Sequence, residues 1–341
     1  MPENYKSRGR VFILGAGFSA EARIPLTAPL LYKAMQKFSQ ECPGIYERVN
    51  NYAKECVGDV DNAVDYSKAG FFSDLCSFLE FIELREWGGG ERWSDAGSKE
   101  KLALRFYLAK TIAEYTPVAN NVPDLYIEFA KQLAPMDTVI SFNWDCLLEV
   151  AILRVGKTYS YNLRNEKAVR LAKLHGSVNW RLGEPNSFGT PTNYLKWEPL
   201  GFSSKDGGML GKDIFHTGKL MDYHAWNYFE PLGELEPFLV LPGYGKAFDV
   251  RANAWLWYKP ELAFAGVQNI FIIGMGLSHD DFFIRSYFLS NLPFLTDRKI
   301  HIVNPAPKAE EDYAFILAKG HAELWREPFS SKHVKMMEDS K

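Results

Sequence analysis

Residues 11–20 (VFILGAGFSA) most constrain how this chain can fold, because a short apolar run there meets two closely spaced glycines. The apolar run predicts a buried strand, and the spacing of the apolar residues that follow predicts a helix over 17–40. A helix that starts just after a strand presents unpaired N–H groups at its N-terminus, and these favour a phosphate. Gly15, Gly17 and Ala20 fit the small positions of the Gly-x-Gly-x-x-Gly/Ala pattern. The alternative is a tight turn that only requires positive φ.

Composition excludes several classes of protein. The 341 residues are 47% hydrophobic and 24% charged, which is typical of a globular chain with a large core. With 39 basic and 42 acidic residues the formal net charge is −3, so no basic excess indicates nucleic-acid binding. No segment has the pattern of a signal peptide, and no apolar run is long enough to span a membrane. We therefore expect a cytoplasmic protein that neither enters a membrane nor binds nucleic acid directly.

The four cysteines are scattered and include no Cys-x-x-Cys pair. This spacing argues against a zinc ribbon and for reduced thiols, so we predict that no metal is bound. Cys146 lies beside Asp145 and could be proposed as a nucleophile. Nothing in the sequence pairs it with a base, however, and we expect a buried core thiol.

Further strand-like runs predict strands, and the residues that follow these runs support a functional hypothesis. The runs are 138–142, 170–174, 238–241, 270–273 and 299–303. In parallel sheets, ligands bind beyond the carboxyl ends of the strands. A polar residue or a glycine follows most of the runs, which is the layout of a nucleotide site. These candidates are Asn143, Asp145, His175, Gly276, Ser278 and Asn304.

The segment between the first two predicted strands decides which kind of nucleotide domain this is. A hydride-transfer domain needs a second strand that ends in an acidic residue about 20 residues after the glycines. Glu41 lies at a suitable distance, but no strand-like run precedes it. We predict one α/β domain over 1–341, with a Rossmann-like, doubly wound and mostly parallel sheet and a helical insertion at about 40–133. Residues 178–235 follow His175 directly and are expected to form a small lid or a surface excursion with its own core.

Structural roles compete with the functional ones at each strand exit. An Asn or Asp at a helix start can be a cap, a Ser-x-x-acid pattern can cap likewise, and an Asn before proline can be a turn residue. The residues open to such a role are Asn143, Asp145, Ser278 and Asn304. His175 could equally be a structural histidine whose hydrogen bonds are satisfied within the fold.

Five motifs, in their order along residues 8–305, resemble the Sir2-like domains of prokaryotic antiphage defence proteins. They are Gly15-Ala16-Gly17-Phe18-Ser19, Ser141-Phe142-Asn143-Trp144-Asp145, Leu174-His175-Gly176-Ser177, Gly276-Leu277-Ser278 and Val303-Asn304-Pro305. Three departures separate the chain from Sir2 protein deacetylases. The usual Ile-Pro-Asp-Phe-Arg is here Ile24-Pro25-Leu26-Thr27, the usual Gln before the catalytic Asn is Phe142, and the four zinc cysteines are absent.

The resemblance implies a substrate, a reaction and a set of site residues. NAD+ would bind at the carboxyl edge of the sheet, and the defence branch of the family would hydrolyse it to nicotinamide and ADP-ribose without zinc. Asn143 and His175 would be the catalytic pair, and Asp145 would orient Asn143 or the nicotinamide amide. The remaining implied contacts are Gly15, Ala16, Gly17 and Ser19 with the pyrophosphate, and Gly276, Ser278 and Asn304 toward the adenosine.

Two other classes of function fit the same residues. One is an NAD-dependent protein deacylase or ADP-ribosyltransferase, and the other is a non-catalytic sensor of NAD or ADP-ribose. An NAD+ hydrolase that was always active would kill its host, so we expect its activity to be gated. The gate would be a homo-oligomer or a defence partner such as a HerA-like ATPase, with the helical insertion as the assembly surface.

Overall fold

Within the described residues of this computed structural model, the strands belong to three sheets. The structure describes residues 9–57, 64–66, 68, 70–85, 92–94, 97–161, 163–182, 208–209, 214–216, 237–243, 246, 256–257, 259–264, 267–277, 282–295, 298–318 and 321–338. In chain order the strands are β1 (Val11–Leu14), β2 (Arg92–Ser94), β3 (Gly97–Ser98), β4 (Thr138–Ser141), β5 (Tyr159–Ser160), β6 (Val169–Lys173), β7 (Gly176–Leu182), β8 (Gly208–Met209), β9 (Ile214–His216), β10 (Pro237–Leu239), β11 (Asn269–Ile273), β12 (Lys299–Val303) and β13 (Ala322–Trp325).

The main sheet has seven parallel strands in the order β13-β12-β11-β1-β4-β6-β5. All four residues of β1 are apolar and buried, as expected of a central parallel strand covered on both faces. From β1 the chain continues to β4 on one side, whereas from β11 it continues to β12 on the other side. The topological switch point therefore lies between β1 and β11, which is where doubly wound sheets bind ligands. This confirms the predicted fold class.

The helices separate into two packing groups. In chain order they are α1 (Thr27–Glu41), α2 (Pro43–Val57), α3 (Phe71–Arg85), α4 (Lys99–Tyr115), α5 (Asp124–Gln132), α6 (Leu147–Arg154), α7 (Phe282–Leu295), α8 (Ala309–Asp312), α9 (Ala314–Leu317) and α10 (Ser331–Glu338). Helices α1 to α4, which together we call the helical block, share one apolar core. Helix α5 instead contributes Tyr126 and Phe129 to the core of the main sheet. The helical block thus starts at Thr27, before the start of the insertion predicted at about 40–133, and it ends at Tyr115, before the predicted end.

The predicted helix over 17–40 is interrupted in the structure. A seven-residue 3-10 helix spans Ala16–Ala22, Arg23 follows with φ of 60°, and α1 starts only at Thr27. Pro25 explains the break, since proline has no N–H to donate and disfavours helical backbone at the residue before it.

The run 238–241 was predicted as one more parallel strand, and this was wrong. Its first residues belong to β10, which pairs antiparallel with β7 in a four-stranded sheet of order β10-β7-β9-β8. Within the predicted lid at 178–235, the described residues are the rest of β7 together with β8 and β9. The rest of the lid lies outside the described residues. Within the part of the chain that the structure describes, no helix is long and apolar enough to cross a membrane.

Candidate active site

The glycine turn after β1 is packed directly against the turn after β11. The backbone N–H of Gly15 donates to the Ile273 oxygen at 3.0 Å, and that of Gly17 donates to the Gly274 oxygen at 2.8 Å. A Cβ on Gly17 would lie 2.9 Å from the Cα of Gly274, and one on Gly15 would lie 2.5 Å from the Cα of Met275. The two glycines are therefore needed for close approach of backbones and not for positive φ, which occurs instead at Gly274. Both N–H groups are engaged within the fold.

Ser19, Asn143 and Asp145 form a buried hydrogen-bonded group at the exits of β1 and β4. The Ser19 hydroxyl donates to Asp145 Oδ2 at 2.9 Å and accepts a hydrogen bond from Asn143 Nδ2 at 3.1 Å. The other oxygen of Asp145 accepts from the N–H of Leu147 at 3.0 Å, at the first residue of α6. Asp145 thus contacts the first residue of α6 through one oxygen, and through the other it orients Asn143 by way of Ser19.

The side-chain amide of Asn143 has its nitrogen fixed by a hydrogen bond and its oxygen without a partner among the described residues. Its backbone N–H donates to the Ser141 hydroxyl at 3.2 Å, and its side-chain nitrogen is held by Ser19. Among the described residues nothing donates to Asn143 Oδ1, although this oxygen is buried. A buried polar atom without a partner is costly, and a ligand that donated a hydrogen bond to it would remove that cost.

His175 holds the equivalent position on the neighbouring strand. Ser141 and Lys173 are register partners in β4 and β6, and Asn143 and His175 each follow two residues later. The carbonyl of His175 accepts from Trp144 Nε1 at 3.0 Å and from the N–H of Val240 at 2.8 Å. Two different elements therefore fix the backbone that carries the imidazole.

The residue after His175 must be glycine. Gly176 has φ of 78°, and a Cβ there would lie 2.1 Å from the Phe238 carbonyl oxygen. This close approach lets the chain leave the main sheet at β6 and enter the antiparallel sheet as β7. The glycine of the His-Gly pair is therefore explained by chain geometry alone.

The imidazole of His175 is neutral at pH 7. Burial lowers its pKa well below the usual 6.5 and the cation of Lys246 lowers it further, against a hydrogen bond with the Phe142 backbone that raises it. The rings of Phe142 and Trp257 lie 5.1 and 5.8 Å from the imidazole, measured between centroids. Within the described residues Nε2 has no hydrogen-bond partner, whereas the Phe142 backbone engages the ring.

The exits of β11 and β12 present fewer open groups. Asn304 Nδ2 donates to the Met275 oxygen at 2.8 Å, and Asn304 Oδ1 accepts from the N–H of Ala306 at 2.9 Å. The oxygen of Asn304 thus serves its own turn, as its structural interpretation predicts, and the nitrogen holds the turn after β11. A Cβ built on Gly276 would meet nothing within 4 Å. Ser278 lies outside the described residues.

Sequence reasoning missed several residues around this site. Trp257 packs against His175 as Phe142 does, and Tyr287 packs behind these two rings. A buried pair of Lys173 and Glu149 lies beside Asp145. Local spacing contains no signal for such contacts, since they join segments that are distant in sequence.

The cysteine hypothesis is also settled by the geometry. Cys146 is 2% exposed, and burial raises the pKa of its thiol to about 12, so it is not an activated nucleophile. Across the residues that the structure describes, no group of His, Cys, Asp and Glu is arranged to hold a metal ion. The fold and site therefore define an α/β protein with buried, partly unsatisfied polar groups beyond two adjacent strands of its parallel sheet.

Comparisons with known proteins point to Sir2 structures. No protein family model matches the chain, and no curated protein matches it. It is similar to Sir2Tm bound to a propionylated peptide, with 14% identity, 97% of this chain and 93% of that chain covered, and a TM-score of 0.38. A structure of Sir2 with a p53 peptide and NAD+ has 14% identity, 97% and 93% coverage, and a TM-score of 0.37. A structure on the mechanism and regulation of Sir2 enzymes has 12% identity, 97% and 92% coverage, and a TM-score of 0.41. Identities and scores this low carry no conclusion about activity.

Proposed function

We propose that this protein is a Sir2-like NAD+ hydrolase that cleaves NAD+ to nicotinamide and ADP-ribose. One observation carries the proposal: Asn143 Oδ1 and His175 Nε2 are both buried and without partners among the described residues, at matched positions past adjacent parallel strands. An open acceptor on a fixed amide and an open nitrogen on a neutral imidazole are the groups that a hydrolytic step needs. The order of the five sequence motifs supports NAD+ as the substrate.

We assign the dinucleotide to the switch point on the support of the glycine turns. Because Gly15, Gly17 and Gly274 carry no side chains, the backbones of β1 and β11 meet closely there. The N–H groups of Gly15 and Gly17 are engaged with β11, so we assign these residues to the shape of the cleft and not to hydrogen bonds with phosphate. Ser19 holds Asn143, and Gly276 leaves open space toward the adenosine half.

The reaction breaks the bond between nicotinamide N1 and ribose C1′. Nicotinamide leaves as a neutral ring that keeps the electron pair, and the ribose passes through an oxocarbenium-like state. Water forms the new bond at C1′ and loses one proton, which the neutral Nε2 of His175 accepts and passes to solvent. Asn143 Oδ1 accepts a hydrogen bond from that water or from a ribose hydroxyl, in an orientation that Ser19 and Asp145 fix.

The test measures nicotinamide release by chromatography and NAD+ binding by calorimetry. Losing a positioned general base costs about a hundredfold to ten-thousandfold in rate, and we expect a fall in this range for His175→Ala. We expect a comparable loss for Asn143→Ala, because its neighbours Phe142 and Trp144 offer no acceptor in its place. Both variants should still fold and bind NAD+.

Matched controls separate a catalytic role from a general loss of fold. His321 is exposed, so His321→Ala removes a histidine without touching the cleft and should keep the wild-type rate. Asn120→Ala does the same for an exposed asparagine. Full activity in His175→Ala would refute the mechanism. Faster nicotinamide release with an acylated peptide would indicate an acceptor enzyme, and nucleotide binding without any release would indicate a sensor.

The proposed physiological role is depletion of NAD+ in antiphage defence, with activity gated by assembly. The support is the set of departures from deacetylases in the sequence and the size of the helical block, whose own core lies apart from that of the main sheet. A homo-oligomer or a HerA-like ATPase partner would provide the gate. Light scattering of the purified protein tests this, since a fully active monomer would argue against gating.

A further inference from the structure

A buried ion pair lies directly behind the turn that carries Asn143 and Asp145. Lys173, the last residue of β6, is 1% exposed, and its Nζ lies 3.0 Å from Glu149 Oε1 in α6. The same ammonium group donates to the main-chain oxygen of Asp145. The cation therefore connects the strand of His175 to the turn of Asn143.

The ion pair continues into a longer network. Glu149 Oε1 also accepts from the Tyr161 hydroxyl at 3.0 Å, and Asn179 Nδ2 in β7 donates to that hydroxyl at 3.2 Å. Burial is the largest single effect and acts to lower the pKa of Lys173, but Glu149, Cys146 and Asp145 together outweigh it, and the pKa lies above the usual 10.5. Lys173 is thus a fully charged cation at neutral pH.

Fold stability alone does not explain a pair of this kind. Removing two charges from water is expensive, and replacing a buried pair with apolar residues of similar size is often neutral or stabilising. Apolar side chains could fill this space between β6 and α6, but they could not donate a hydrogen bond to the Asp145 carbonyl. What the pair adds is a fixed place for that carbonyl and hence for the turn.

We propose that Lys173 and Glu149 are positioning residues that hold the turn bearing Asn143 and Asp145 in register with His175 for the reaction. This inference rests on the proposed function, because it concerns the geometry of that same site. Misplacing reacting groups by about 1 Å can lower a rate about a hundredfold, so a loosened turn should appear in kcat. The affinity for NAD+, which depends on the whole cleft, should change little.

The chain offers a matched control at the amino ends of the central strands, away from the carboxyl ends that carry the site. Arg10 and Asp137 form a second buried pair at 2.7 Å, and Arg10 also donates to the main-chain oxygens of Gln132 and Met337. Both pairs combine a buried cation, a buried carboxylate and main-chain carbonyls. They differ in that Arg10 lies before the start of β1, away from the strand exits.

The activity test compares Lys173→Met, Lys173→Arg and the double variant Lys173→Met/Glu149→Leu with Arg10→Met/Asp137→Leu. We expect kcat for nicotinamide release to fall about tenfold or more in both Lys173→Met variants, with KM within about threefold of wild type. Lys173→Arg should recover part of the rate, since it restores a cationic donor. The Arg10 variant should keep the wild-type kcat. The double variants keep the comparison valid if a single change leaves an unpaired buried charge and fails to fold.

A second readout does not depend on activity. Trp144 lies in the same turn and donates its indole N–H to His175, so its indole NMR signal, assigned with Trp144→Phe, reports the geometry of the turn. We expect this signal to shift or broaden in both Lys173→Met variants and to stay in place in the Arg10 variant. An unshifted signal together with a wild-type kcat in the Lys173→Met/Glu149→Leu variant would overturn the proposal. If the wild type releases no nicotinamide, the proposed function fails, and the NMR comparison still decides whether Lys173 positions the turn.

Discussion

The neutral, buried state of His175 predicts a specific dependence of stability on pH. In the unfolded chain a histidine takes up a proton near pH 6.5. In the folded protein burial, assisted by Lys246, lowers the pKa of His175 well below that value. Below pH 6.5 the unfolded state therefore binds one more proton than the folded state, and the free energy of unfolding must fall with falling pH. Above about pH 7 the imidazole is neutral in both states, and this residue makes almost no difference.

The magnitude follows from one proton per molecule. One proton corresponds to about 1.4 kcal/mol per pH unit, so His175 should remove up to about 2 kcal/mol of stability between pH 7 and pH 5. His301 and His333 also have lowered pKa values, mainly through burial, and they add to the slope of the wild type. A comparison with His175→Gln cancels their contribution, because both proteins contain them.

The assay is urea unfolding of both proteins at pH 8, 7, 6 and 5. We expect the difference in free energy of unfolding between wild type and His175→Gln to be constant from pH 8 to 7. From there to pH 5 it should move by about 2 kcal/mol in the direction that favours the variant. Parallel pH profiles would mean that His175 is protonated equally in both states, and would refute the buried, neutral imidazole on which the mechanism depends.

Two further predictions concern the packing of the site. Gly274→Ala should lower the free energy of unfolding by more than about 2 kcal/mol, because left-handed backbone costs about 1–2 kcal/mol and the new Cβ would lie 2.2 Å from the Phe18 nitrogen. Gly276→Ala is the control, with open space around its Cβ and an expected change within about 0.5 kcal/mol, both measured by urea unfolding. With its thiol pKa raised to about 12, Cys146 should stay unmodified by iodoacetamide at pH 8 in the folded protein and react after unfolding. Mass spectrometry checks this, and alkylation of native Cys146 would show that the thiol is accessible.

The strands could be read from the sequence where burial on both faces leaves a continuous apolar run. Strands β1 and β11 are of this kind, whereas β4 is fully buried but has Thr138 and Ser141 at its ends. The predicted bounds of β4 and β11 agree with the structure to within one residue. The outer strands β5 and β13 were missed, because both are short and only partly buried, and neither has a continuous apolar run. An apolar run also does not encode the direction of its partner strand, which is why β10 was assigned to the wrong sheet.

The site could be predicted only in outline. Parallel strands bring their carboxyl ends to one edge, so the exits after β4 and β6 could be placed together from spacing alone. The open atoms of Asn143 and His175 depend on which side chains reach them, and that information is not local. The same holds for the bond between Ser19 and Asp145, which joins residues 126 positions apart in the chain. The catalytic roles of Asn143 and His175 remain predictions.

The turn at Gly176 also bears on how far the chain can be shortened. It passes the backbone from His175 into β7, and Val178 in β7 and Leu239 in β10 belong to the apolar core of the helical block. Val240, next to Leu239, donates the hydrogen bond that holds the His175 carbonyl. The helical block and the seven-stranded sheet are therefore not separable modules. Deleting the helical block would expose the apolar residues of β7 and β10 that pack against it. It would thereby disturb the segment whose Val240 N–H holds the His175 carbonyl.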